Sequence, residues 1–268
     1  MAELIRLLKE TPHESRNLGI KAFMIDDDFF AEPDFRTLCQ EIAQLRNQQE
    51  RFFLFARIPK SCLRHAPALH ALGFYVVEAT VTPYTHLGKN EMLHRFIANS
   101  RDFVPDMYRD AHLVHMSLSR SGSLPTDRLK QIAGESFSDD RFHLDRNCPT
   151  QVADRRFEYW IADLVADATT DFDVLQLEGS IIAFLARKRN YLLLAGFSKR
   201  YISSGLGEYL WLSTCNLLRS AGHTIVETCI SINNQPVLNL YSRLGFKFKG
   251  AKYSLHCWYP SNLDTRTD

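Results

Sequence analysis

The chain has 268 residues, enough for one large or two small domains, and 45% hydrophobic residues allow a sizeable core. A net charge of +1 gives no broad electrostatic reason for a nucleic acid or an anionic membrane as partner. No apolar stretch approaches a membrane span, and Met1 to Glu10 is amphipathic and acid-bearing, without an apolar signal core. The six cysteines (Cys39, Cys62, Cys148, Cys215, Cys229 and Cys257) form no C-x-x-C pair, and several sit in apolar runs. They read as reduced, mostly buried thiols of a cytoplasmic protein.

In chain order, Phe35 to Leu45 has helical spacing, Phe53 to Ile58 reads as a strand, and Tyr75 to Val81 as another. His112 and His115 lack further ligands at useful spacing, so no metal is expected. The run from Ser117 to Ser123 reads as a linker strand and turn. Thr126-Asp127 caps a helix carrying Leu129, Ile132 and Ala133, and Val152 to Ala166 is helical through Phe157, Trp160, Ile161 and Leu164. Three strands follow: Asp173 to Glu178, Ile181 to Ala186, and Tyr191 to Phe197. A helix from Gly205 to Arg219, a strand from Thr224 to Ser231 and a helix from Gln235 to Leu244 come next. Two last strands, Phe246 to Lys249 and Ala251 to Trp258, complete the chain. The order β-β-β-α-β-α-β-β predicts an α/β (α+β) fold with a mixed sheet and helices on both faces. Exposed C-terminal edges make a homodimer an expectation.

Leu72-Gly73-Phe74 and Leu244-Gly245-Phe246 stand 172 residues apart. That offset, applied without gaps, lays Phe53 to Ile58 on Ile225 to Ile230, Phe35 to Leu45 on Gly207 to Leu217, and Tyr75 to Val81 on Lys247 to Tyr253. One helix-strand-helix-strand unit occurs twice. The first copy has Pro33, Phe35, Cys62 and Leu69 where the second has Gly205, Gly207, Asn234 and Tyr241.

The stretch Phe197-Ser-Lys-Arg-Tyr-Ile-Ser-Ser-Gly-Leu-Gly-Glu208 is a strand exit, a loop and a helix start. Unpaired amides and the helix dipole make such a start a place for a diphosphate on Ser203, Ser204, Gly205, Leu206, Gly207 and Glu208. Glycines would let it approach closely, and Lys199 and Arg200 would add charge. The loop is neither a Walker loop nor a dinucleotide fingerprint. Downstream, Asn234 reads as a helix cap, with Pro236 in the first turn and Tyr241 one turn before Gly245.

Here the sequence resembles the GNAT superfamily of acyl-CoA N-acetyltransferases. The likeness rests on Ile202-Ser-Ser-Gly205-Leu-Gly207 and on Asn234 to Phe246. The family pattern opens the loop with Gln or Arg. Ile202 stands there instead, which loses a side-chain contact but keeps the amide cradle. A closer likeness, over nearly the whole chain, is to the bacterial dTDP-fucosamine N-acetyltransferases. Phe137-Ser-Asp-Asp-Arg141-Phe142, Phe157-Glu-Tyr-Trp160, Leu193-Leu-Ala-Gly196 and Ala71 to Glu78 carry it.

That resemblance implies a GNAT-like partial domain over residues 1–100 and a catalytic GNAT domain over 101–268. It implies acetyl-CoA as cosubstrate and direct attack by the 4-amine of dTDP-4-amino-4,6-dideoxygalactose. A peptide, a protein N-terminus or an amino acid remains an alternative acceptor, and a non-catalytic CoA-binding module remains an alternative role. Gly196, Phe197 and Ser198 would turn backbone amides toward pantetheine and the thioester oxygen. Tyr241 is implied as general acid, alongside Asn234 at the cofactor. It would either donate its proton or only hydrogen-bond the thiolate, since donation from a phenol to a thiol is uphill by roughly 2 kcal/mol in water. Glu78, after Phe74 to Val77, is implied as base, through water, or else is an exposed acid at a strand end. Arg141 and His143, beside Asp140, would meet the acceptor, or else lie in a solvated loop.

Overall fold

The computed structural model describes residues 6–118, 124–136 and 140–260. The turn expected around Ser119 to Ser123 and the Phe137-Ser-Asp part of one likeness lie outside them. The described residues within Met1–Thr80, Asp139–Ala153 and Gly250–Asp268 form one compact unit, and those within Val81–Ser138 and Asp154–Lys249 form a second. The two interleave along the sequence. Among the described residues, no helix is long and apolar enough to cross a membrane.

The elements in chain order begin with β1 (Leu8–Glu10), α1 (Pro12–Leu18), β2 (Lys21–Ile25), α2 (Phe35–Gln48), β3 (Phe52–Pro59), α3 (Ala66–Ala71) and β4 (Tyr75–His86). Next come α4 (Glu91–Ala98), β5 (Leu113–Ser117), α5 (Thr126–Ser136), α6 (Thr150–Ala166), β6 (Asp171–Leu177), β7 (Ser180–Lys188) and β8 (Tyr191–Phe197). The last are α7 (Leu206–Ser220), β9 (Ile225–Thr228), β10 (Ile230–Ser231), α8 (Gln235–Arg243) and β11 (Lys247–Tyr259). Two sequence expectations change. Thr224 to Ser231 is not one strand, because Cys229 interrupts it. The two final strands are one, running through Gly250 at φ +60°.

In the first unit, β1 and β2 are antiparallel, β2 and β3 parallel, and β3 and β11 antiparallel. Period-two alternation buries both faces of β3. Phe52, Leu54, Ala56 and Ile58 pack with Leu38, Ile42 and Leu45 of α2, while Phe53 and Phe55 pack with Phe142 and Cys148. Glu41 of α2 accepts the amides of Arg6, Leu7 and Leu8, which ties the start of β1 to the helix.

In the second unit, β4, β9, β8, β7, β6 and β5 lie in that order, and β10 pairs with β4. β8 and β9 are parallel; the pairings β4–β9, β8–β7, β7–β6 and β6–β5 are antiparallel. Leu175, Ala183, Leu185 and Leu192 face Leu210 and Leu218 of α7, while Val174, Phe184, Ala186 and Leu194 face Ile132, Phe157 and Ile161 of α5 and α6.

The offset of 172 carries elements onto elements: α2 onto α7, β3 onto β9 and β10, α3 onto α8, and β4 onto β11. Gly73 (φ +92°) and Gly245 (φ +74°) both leave their helices in the left-handed region that glycine adopts without strain. Register repeats too. Tyr84, Thr85 and His86 of β4 stand opposite Glu227, Val226 and Ile225 of β9. Displaced by the offset, these are His256, Cys257 and Trp258 of β11 opposite Phe55, Leu54 and Phe53 of β3. β4 begins in the first unit and ends in the second, and β11 begins in the second and ends in the first, so each copy's last strand finishes in the unit of the other.

A buried polar cluster pins the end of β11 within the first unit. Asp145 accepts from Tyr75 Oη at 2.7 Å, from His256 Nδ1 at 2.7 Å and from Trp258 Nε1 at 2.7 Å. His256 Nε2 faces the Arg141 guanidinium at 3.4 Å, so it accepts there and the ring proton sits on Nδ1. Burial pushes Asp145 up, but the hydrogen bonds from His256, Trp258 and Tyr75 outweigh it and the net shift is down. Burial and the Arg141 charge outweigh the Asp145 carboxylate at His256 and bring it down to about 4. A histidine depressed in the folded state stabilises fully above its unfolded pKa and loses that stability as pH falls through the folded one. We therefore expect unfolding free energy to fall by up to about 1.4 kcal/mol per pH unit from this group between pH ~6.5 and ~4. His256→Asn keeps a donor to Asp145 but cannot titrate, so urea midpoints measured across that window should vary less with pH in the variant.

Candidate functional site

The site lies where β9 leaves β8. The two parallel strands pair only at Tyr191↔Glu227 and Leu192↔Thr228. β8 then continues to Phe197 against β7, whereas the chain after Thr228 breaks at Cys229 and resumes as β10 on β4. A fork opens between them.

Which amides face the fork follows from the ladder. Ser198 N donates to Ile182 O at 2.8 Å, and Gly196 is opposite Phe184 in the same antiparallel register. Alternation then directs the Gly196 and Ser198 N–H groups to β7 and turns those of Ala195 and Phe197 to the fork. The expectation for Gly196 and Ser198 is thus corrected, Phe197 keeps its place, and Ala195 joins it. The sequence hides this parity because a bulge between Ala186 and Arg187 resets the register of β7 on β8. The Phe197 carbonyl accepts from Ser136 Oγ of α5 at 2.8 Å.

Beyond the fork is the glycine loop. Ser203 has φ +63°, Gly205 φ +82°, and α7 starts at Leu206 with no side chain capping it. The first amides of the helix lack intrahelical partners by geometry, and the Ser204 hydroxyl reaches Leu206 N only at 3.4 Å. Lys199 and Arg200 are exposed beside it. This donor set fits a diphosphate. The glycines also have neighbours that the sequence did not show. A Cβ on Gly205 would meet Pro105 Cγ at 2.9 Å, and one on Gly207 would meet Leu240 Cδ2 at 3.4 Å. Leu206 turns its side chain into the core, and Glu208 accepts from Arg243 Nε at 2.8 Å. Ile202 is exposed.

Tyr241 is only 2% exposed and packs edge-on against Trp211 and Phe246. Burial pushes its phenol well above the usual range, while contacts from the side chains of Trp211 and Thr228 pull it part of the way back. Thr228 is the last β9 residue paired with β8, so the phenol sits at the root of the fork. Asn234 accepts from Val237 N at 3.2 Å and is a helix cap.

The remaining expected residues belong to the first unit. Glu78 lies inside β4, 8% exposed, and accepts from Ser254 Oγ at 3.5 Å; it is not the exposed strand-end acid that sequence allows. Arg141 is buried between the Phe55 and Phe142 rings and ion-paired with Glu14, and His143 is paired with Asp140. Neither lies in a solvated loop. Among the described residues, no cluster of His, Cys, Asp and Glu is placed to hold a metal, and all six cysteines are unbridged, three of them buried.

The loop after β2, at the place of the glycine loop in the first copy, has the opposite chemistry. It carries Asp26, Asp27, Asp28, Glu32 and Asp34. Asp34 accepts from Thr37 N at 3.0 Å, so the start of α2 is already capped by a carboxylate. Like charge and a filled cap leave no cradle for a diphosphate there.

No protein-family profile matches the sequence, and no curated protein matches it. Solved structures do match. A GCN5-related N-acetyltransferase from Sphaerobacter thermophilus aligns with a TM-score of 0.57 at 10% identity, over 89% of this chain and 72% of that one. A second from Kribbella flavida aligns with a TM-score of 0.53 at 14% identity, over 89% and 81%. A tandem GNAT protein from the clavulanic acid biosynthesis pathway aligns with a TM-score of 0.53 at 13% identity, over 88% and 75%. The chain has the GNAT fold. Its mixed sheet and helices agree with the α/β (α+β) expectation.

The left-handed φ and the Pro105 contact make Gly205→Ala a strained substitution. We expect it to cost about 1–3 kcal/mol and to lower the melting temperature by several degrees, read by thermal denaturation of the two proteins side by side.

Proposed function

We propose that the protein is an acetyl-CoA-dependent N-acetyltransferase whose second unit holds the cosubstrate. The observation that carries this reading is the fork between β8 and β9, with Tyr241 at its root and a diphosphate-competent loop at its mouth. The start of α7 would hold the diphosphate through backbone amides, with Lys199 and Arg200 adding charge. The Ala195 and Phe197 amides face the opening, where pantetheine and a developing oxyanion need donors. One such donor is worth about 3 kcal/mol in the transition state. The reaction is attack by a neutral amine on the thioester carbonyl, with loss of the CoA thiolate.

Tyr241 supplies the proton that the thiolate takes. Its raised pKa keeps the phenol protonated across the physiological range. The dry surroundings that raise the phenol raise a thiolate in the same place, which narrows the uphill step found in water. The acceptor is a nucleotide-linked amino sugar of the dTDP-4-amino-4,6-dideoxyhexose type. This rests on the sequence likeness at Phe157-Glu-Tyr-Trp160, Leu193 to Gly196 and Ala71 to Glu78.

The deciding experiment incubates the protein and acetyl-CoA with a panel of amino-sugar nucleotides, peptides and amino acids, and reads acetylation by mass spectrometry. Turnover of the sugar nucleotide alone is expected; an acetylated peptide without sugar turnover reassigns the acceptor, and CoA binding without any turnover removes the enzymatic reading. Tyr241→Phe should lose 10²-fold or more of kcat, the usual scale for a positioned acid. Because the folded phenol titrates above its ordinary value, kcat of the parent protein should show no alkaline fall from Tyr241 below pH ~10. Glu78→Gln tests the base that the family likeness implies: kcat/KM should drop and lose its acid limb.

A further inference from the structure

Trp211 carries a donor that the fold does not use. It stands on α7, 5% exposed, and its Nε1 has no hydrogen-bond partner. Native folds seldom leave a buried donor unpaired, because its desolvation is then uncompensated. The ring is not there by default of space. It meets the Tyr241 ring edge-on, centroids 6.1 Å apart and planes at 81°, in the same cluster as Cys215 and Phe246.

The other polar neighbour of the phenol is Thr228. Its hydroxyl proton is committed to Leu192 O at 2.9 Å. Thr228 can therefore accept a hydrogen bond from a neutral phenol but has no proton to give a phenolate. Cys215, which acts on the phenol only through charge, has a thiol that burial pushes up to about 12 and is a poor donor, and Tyr191 likewise acts only through charge. Of the two side chains with a hydrogen-bonding effect on the phenol, the indole is the one with a proton to give.

We propose that Trp211 is a positioning residue for Tyr241, its free indole N–H closing onto the phenol oxygen as that oxygen gives up its proton. The inference rests on the reading of Tyr241 as the acid. In the step itself, the carbon–sulfur bond of the tetrahedral intermediate breaks and its electron pair goes to the CoA sulfur. The proton passes from Tyr241 Oη to that sulfur, and the phenolate left behind regains the proton that the amine nitrogen sheds after it has bonded to the carbonyl carbon. The interaction is weak while the phenol is neutral and strong when it is charged. A donor of that kind favours the transition state over the ground state. The Trp211 side chain pulls the phenol downward, against burial, as a hydrogen-bond donor to it would, although no hydrogen bond is formed at normal length in the resting structure.

The test separates this inference from the one beneath it. 3,5-Difluorotyrosine is placed at position 241, where its more acidic phenol can be titrated by absorbance in the folded protein without acetyl-CoA. Trp211 is then replaced in that background by Phe, and separately by benzothienylalanine, an isostere in which sulfur takes the place of the N–H. Both replacements should raise the phenol pKa by about one unit. In the protein with natural Tyr241, both should lower kcat about tenfold and leave the KM for acetyl-CoA unchanged. An unmoved pKa in the isostere protein overturns the role of Trp211, whatever the activity. A raised pKa with kcat untouched, in a protein whose Tyr241→Phe variant is also fully active, overturns it through the acid assignment instead.

Discussion

The backbone pairing of β4 with β9 and β10 is the constraint on which the rest of the second unit depends. A strand has two edges. At Glu227, β9 is held on one edge by β8, through Tyr191, and on the other by β4, through Tyr84; beyond Cys229 the chain, as β10, pairs with β4. That one-sided hold opens the fork, frees the Ala195 and Phe197 amides and sets Thr228 beside Tyr241. The strand that does this is the last strand of the first copy. The second copy therefore owes its opening to a segment 172 residues upstream of its own equivalent.

The two copies diverged where chemistry, not folding, makes demands. Helices and strands coincide under the offset, and so does the pairing register of the exchanged strands. The loops do not. Five carboxylates follow β2, whereas Lys199, Arg200 and two glycines follow β8. Leu69, fully buried, occupies the position of Tyr241. The first copy's core excludes water, but it has no phenol to titrate and no bare helix start to hold an anion.

Much of this was legible in the sequence. Apolar spacing placed α2, α6, α7 and α8, and the Leu-Gly-Phe pair located the repeat. The loop at Gly205 could be named because its chemistry is local, whereas the role of Tyr241 came only from the GNAT resemblance. What stayed hidden is non-local. The faces of Gly196, Phe197 and Ser198 depend on a bulge at Ala186, one strand away. Nothing in the sequence singles out Trp211, since only its contact with Tyr241, thirty residues on, distinguishes it. Glu78 could be read as a strand end because β4 runs on, beyond the local apolar signal, to His86. Arg141 looked like a surface group because its partner, Glu14, lies far upstream in α1.

The reciprocal exchange of β4 and β11 also orders events in time. β3 leaves the ribosome well before β11, yet its neighbour in the sheet is the end of β11, about two hundred residues later. At ordinary elongation rates that interval is roughly 10–40 s. Through it, Phe53 and Phe55 wait on an open edge, without the aromatic and histidine side chains of β11 that finally cover them. Nascent chains with such an edge are natural clients for chaperones. The first unit is thus begun before the second and finished only after it.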